Sequence, residues 1–74
     1  MKRYRNLDGN SGVIAYEAGD GFIRIRFVNG DVYEYTDQAS GREHVQNMQR
    51  LAQAGRGLAT YVSRFVHEAY ARKL

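Results

Sequence analysis

Two alternating runs, Phe22-Ile-Arg-Ile-Arg-Phe27 and Val32-Tyr-Glu-Tyr35, flank the segment Val28-Asn-Gly-Asp31. Alternation with a period of two places one set of side chains on each face of a strand. Glycine accepts a positive φ and asparagine tolerates it, so an Asn-Gly pair between such runs predicts a β-hairpin over Phe22–Tyr35. Every other element must pack against this hairpin or extend it.

The loop length decides which side chains share a face. With Asn29-Gly30 as a two-residue turn, Phe27 faces Val32, and Arg24 and Arg26 fall opposite Tyr35 and Tyr33, giving a cation–π surface for binding. With Val28-Asn29-Gly30 as a three-residue loop bulged at Gly30, Ile25 faces Tyr33, Ile23 faces Tyr35 and Arg24 sits opposite Glu34. The second register gathers the large apolar groups on one face and pairs opposite charges on the other, so it is the consistent solution. It makes Tyr33 and Tyr35 core residues with hydroxyls at the rim.

Upstream, Val13 to Glu17 reads as a first strand, joined through Gly19-Asp20-Gly21 to Phe22, so the sheet is expected to be a three-stranded antiparallel meander. Residues 1–10, with Asn6, Asp8, Gly9 and Asn10, are expected to form a flexible basic arm before a single domain over residues 11–74. Downstream, Asp37 or Ser40 offers an N-cap, with Glu43 as the capping-box partner of Ser40. Val45, Met48, Leu51 and Ala52 then recur at helical spacing until Gly55-Arg56-Gly57 interrupts them. A second, more apolar helix is predicted from Leu58 through Tyr61, Val62, Phe65, Val66, Ala69 and Tyr70, with Arg72 and Lys73 at its C-terminus, where cations are favoured. Three strands followed by two helices on one face make an α+β two-layer sandwich.

The 74 residues contain no cysteine, which excludes disulfides and thiolate metal sites. No run reaches the roughly 18 apolar residues of a membrane span, and no apolar segment follows the charged start. The expectation is a cytoplasmic protein without a membrane partner. The net charge of +3 is unevenly spread: residues 8–38 carry −4, whereas residues 39–74 carry +4. Such a basic half can steer an anionic partner such as RNA. Candidate contacts are Lys2, Arg3 and Arg5 in the arm, the stripe Arg56, Thr60, Ser63 and His67 with Arg64 beside it, and Arg72 and Lys73. The bland alternative for this stripe is an ordinary solvated helix face.

Catalysis is not expected. The candidates are His44 and His67 with Glu43, Glu68 and Ser63, yet neighbours in a helix do not face one another, so neither glutamate orients the histidine beside it. No histidine pair has ligand spacing for zinc, and no metal or cofactor is expected. The unpaired edges of a small sheet offer a second class of function, self-association as a homodimer or docking of a protein partner.

The succession Ser11, Ile14-Ala-Tyr16-Glu17, Ile23-x-Ile25-x-Phe27-x-Asn29-Gly30, Val32-Tyr33-x-Tyr35 and Tyr61-Val62-Ser63-x-x-Val66-His67-x-x-Tyr70 resembles the KTSC domain. That family takes its name from a C-terminal extension of some lysyl-tRNA synthetases and includes small stand-alone bacterial and phage proteins. The resemblance spans roughly residues 11–70. It implies an α+β module associated with RNA-related proteins, raises the expectation of RNA binding, and lends catalysis no support.

Overall fold

The computed structural model describes residues 1–74. In chain order the strands are β1 (Lys2–Arg3), β2 (Val13–Gly19), β3 (Phe22–Phe27), β4 (Val32–Thr36) and β5 (Arg72–Lys73), and the helices α1 (Asp37–Ser40), α2 (Arg42–Ala54) and α3 (Leu58–Tyr61) lie between the last two strands. The hairpin takes the bulged register. Ile25 pairs with Tyr33, Ile23 with Tyr35 and Arg24 with Glu34. Phe27 N–H donates to the Asp31 carbonyl at 2.9 Å, closing a loop in which Gly30 has φ 91°. Asn29 Oδ1 accepts from Asp31 N–H at 3.0 Å, a side-chain mimic of a backbone turn. The two-residue turn, with Phe27 opposite Val32, is not formed.

The sheet is antiparallel throughout, in the order β1-β2-β3-β4-β5, so it has five strands rather than the expected three. Each chain terminus supplies one short edge. At the N-terminus, Lys2 pairs with Tyr16 and Arg3 with Ala15. Tyr4, only 3% exposed, enters the core, and its hydroxyl accepts from the Leu58 N–H at 3.3 Å. That amide opens α3 and has no partner within its helix, so the tyrosine acts as a distant cap. Leu7 N–H donates to the Gly55 carbonyl at 2.7 Å. Lys2 to Leu7, within the expected arm of residues 1–10, are thus docked along the domain and not extended as a loose arm, because Tyr4 brings both apolar area and a missing acceptor.

The helices cover one face. Neither Asp37 nor Ser40 is the cap: Thr36 Oγ1 accepts from Ala39 N–H at 3.2 Å and starts α1, and the Ser40 hydroxyl donates to the Ala69 carbonyl. Gly41 separates α1 from α2, which starts without a side-chain cap. Val45, Met48 and Ala52 point from α2 into the core. Gly55 ends α2 in the left-handed conformation, φ 80°, and a Cβ there would lie 2.9 Å from Arg5 Cβ, so both the turn and the docked N-terminus require glycine.

The C-terminal third departs most from expectation. Leu58, Val62 and Val66 are buried, as their spacing predicts, but α3 widens into a π-helical turn over Val62–Val66 and stops at His67. Arg72 and Lys73 do not end a helix. They form β5, with Arg72 paired to Glu34 and Lys73 to Tyr33, and Ala71 N–H and Leu74 N–H donate to the Glu34 and Val32 carbonyls at 2.7 Å each. The open edge of β4 satisfies these backbone groups, whereas a helix running on past Tyr70 would leave that edge bare.

On the face away from the helices, Glu17, Arg24, Glu34 and Arg72 form a row across four strands. Arg24 Nε and Arg72 Nε reach the two Glu34 oxygens at 2.7 and 2.9 Å, and Arg24 Nη1 lies 3.5 Å from Glu17. The hydrogen bond from Arg72, then that from Arg24, holds the Glu34 carboxyl below its ordinary value of 4.5. Hydrogen bonding to Glu34 raises the Arg24 guanidinium above its usual value.

Candidate nucleic-acid interface

Between the helical face of β3 and β4 and the segment 59–70 lies a cleft of about 390 Å³, within the range of small-ligand sites. The alternation of β3 and β4 aims Phe27, Tyr33 and Tyr35 toward it, and the π-helical turn contributes Val62 and Ser63. Tyr70 forms its outer wall because β5 fixes the chain two residues later. The Tyr33 and Tyr70 rings are tilted, with centroids 4.8 Å apart. Phe27 meets Tyr33 edge-on at 5.8 Å, and Tyr35 meets Tyr70 edge-on at 6.4 Å. Burial, then the neighbouring Tyr33 and Tyr70, pushes the Tyr35 phenol up to about 12, so its hydroxyl stays neutral at working pH. Tyr35 is the floor, and the half-buried Tyr33 is the more exposed of the two rings.

Ser63, His67 and Glu68 supply the polar lining. His67 has φ 30° and ψ −96°, a backbone conformation rare for a side-chain-bearing residue. Strain of this kind and π-helical turns both concentrate at functional sites. Lys73 Nζ sits 5.8 Å from the centre of the Tyr33 ring and 3.4 Å from Asp31 Oδ2, so a cation stands at the rim.

The structure divides the sequence-predicted contacts. Ser63 and His67 enter the cleft, while Arg56 and Thr60 line a smaller recess that adjoins it through Ala59. Arg64 is exposed beside Ser63 without lining either recess. Lys2 and Arg3 lie on the opposite edge of the sheet from Arg72 and Lys73, roughly 19 Å away at the usual strand spacing. Arg5 donates to the Gln53 carbonyl on α2. Arg72 and Lys73 are engaged by Glu34 and Asp31. The ten positions are therefore one compact group around α3 with Lys73 at its rim, and outlying cations that do not join it.

Sequence reasoning did not connect Phe27 and Tyr70 with Ser63 and His67. The helix assumed through Tyr70 hid this, although Tyr70 was visible as an aromatic residue two positions before a basic pair. It also missed a polar network on the outer helical face. Tyr61 Oη lies 2.6 Å from His44 Nδ1 and accepts from Asn47 Nδ2 at 3.0 Å, with Phe65 stacked on His44 at 6.2 Å. His44 and His67 thus belong to different surroundings and share no recess. No group of three or more His, Asp or Glu side chains is disposed to hold a metal ion. No helix is long and apolar enough to cross a membrane.

No family model, curated protein or solved structure matches this chain.

Proposed function

We propose that this protein is a non-catalytic, cytoplasmic binding module for single-stranded RNA, with a base entering the aromatic cleft and phosphates running along α3. The observation that carries the reading is the half-buried Tyr33 ring beside Tyr70 in a cleft flanked by Arg56 in the α2–α3 connection, Thr60 on α3, Ser63 on the π-helical turn and His67 at its end. Base stacking on aromatic rings beside cationic side chains is the common physics of single-strand binding, and it tolerates many sequences because every base has a π face. Glu68, although acidic, fits such a site: a carboxylate can accept from the exocyclic amino group of a base. The resemblance to the KTSC domain supports the same partner class.

The test is fluorescence anisotropy of a labelled single-stranded RNA titrated with protein at low and high salt. The reading predicts binding that weakens steeply with salt. Tyr33→Ala should weaken it by roughly 5- to 100-fold, the value of one stacked base. No rise in anisotropy at low salt, or an unchanged affinity for Tyr33→Ala, contradicts the proposal.

A further inference from the structure

The β4 edge is occupied by the chain's own last residues, and few contacts hold them there. From His67 to Leu74 only Tyr70 is partly buried. The segment is attached by the Ala71 and Leu74 amides on β4, the Ser40 hydroxyl on the Ala69 carbonyl, the Arg72–Glu34 and Lys73–Asp31 ion pairs, and the Tyr70 ring against Tyr33 and Tyr35. Local openings of such exposed, sparsely packed segments lie at the low end of a protein's stability scale. Beneath the segment, Glu34 is only 8% exposed and presents one oxygen to Arg72. Backbone edge, carboxylate and aromatic cleft together specify an occupant: an extended strand with an aromatic residue two positions before an arginine, followed by a lysine.

A second copy of this chain carries that strand in the matching register. We propose that the β4 edge is an exchange interface, on which residues 68–74 of a second copy replace the chain's own and receive its segment in return. Reciprocal exchange keeps every contact named above and gives a two-fold symmetric dimer, which is why identical elements exchange at low cost. The hinge supplies the bias. His67 has φ 30° at the point where the chain turns back from the π-helical turn toward its own β4. In the exchanged dimer the hinge runs on to the neighbour, so His67 can relax into an ordinary conformation. This dimer does not depend on RNA, and in it the cleft is closed by the partner's Tyr70.

Two measurements test the exchange. Leu74 N–H donates to the Val32 carbonyl, so these residues face each other across β4 and β5, and the chain has no native cysteine. Singly substituted V32C and L74C proteins, refolded together at high concentration and oxidised, should give a covalent heterodimer in excess of the homodimers formed by either alone. Light scattering of the wild type should show a dimer that grows with concentration. H67G, which relieves the strain within the monomer, should lower the dimer association constant by at least roughly tenfold. A wild type that stays monomeric, a dimer that gives no V32C–L74C crosslink, or an H67G association constant equal to that of the wild type overturns the proposal.

Discussion

The hairpin Phe22–Thr36 and the C-terminal segment Leu58–Leu74 are of similar length and both pair with β4 or contain it, yet they reach their structures by opposite routes. In the hairpin, strand alternation, turn chemistry and cross-strand charge pairing specify one register, and β3 and β4 form it. In the C-terminal segment the apolar spacing favours helix as far as Tyr70, but the chain leaves the helix after Val66 and ends as a strand. Its last residues respond to needs elsewhere: an open sheet edge, a carboxylate on β4 and an aromatic cleft. Where local preferences agree with the fold a segment is self-specifying, and where they conflict the tertiary contacts decide.

This contrast can be broken by substitution. The largest effect belongs to the hairpin floor: Ile25 is fully buried, and Ile25→Ala should lower the unfolding free energy by about 2–5 kcal/mol, read from urea denaturation. Next is the hairpin's turn. A side chain at Gly30, φ 91°, meets no steric neighbour but occupies a left-handed conformation, so Gly30→Ala should cost about 1–2 kcal/mol. In the C-terminal segment Arg72 is largely exposed, and Arg72→Ala should cost at most about 1 kcal/mol. If Arg72→Ala proved as damaging as Ile25→Ala, β5 would be part of the cooperative core and the contrast would fail.

The smallest effect is a pH dependence. The folded-state Glu34 carboxyl titrates below its ordinary value of 4.5, so its contribution to stability is fully present above that value. It is lost as pH falls through the lower folded value. Acid titration of the wild type followed by circular dichroism should therefore show a loss of stability beginning below about pH 4.5. Glu34→Gln should flatten that limb, and an unchanged acid limb in the variant would assign it to other carboxylates.

The α+β class, the bulged hairpin register and the buried Leu58, Val62 and Val66 were all legible in the sequence because each follows from local periodicity. Tyr4 was not, since the amide it caps lies 54 residues away. Nor was β5, because the Glu34 that receives Arg72 is 38 residues distant and the apolar spacing through Tyr70 reads as helix. The candidate site was half legible. Ser63 and His67 were found as members of a polar stripe, whereas their aromatic neighbours appear only once β5 has turned Tyr70 back over Tyr33.

The central claim is that the functional surface is the cleft between β4 and α3. Amide chemical shifts recorded while a single-stranded RNA oligonucleotide is titrated into the labelled protein test it most directly. The account predicts the largest shifts at Phe27, Tyr33, Ser63, His67 and Tyr70. Shifts confined to Arg3, Arg24 and Arg26 on the opposite face of the sheet, or none at all, would contradict it.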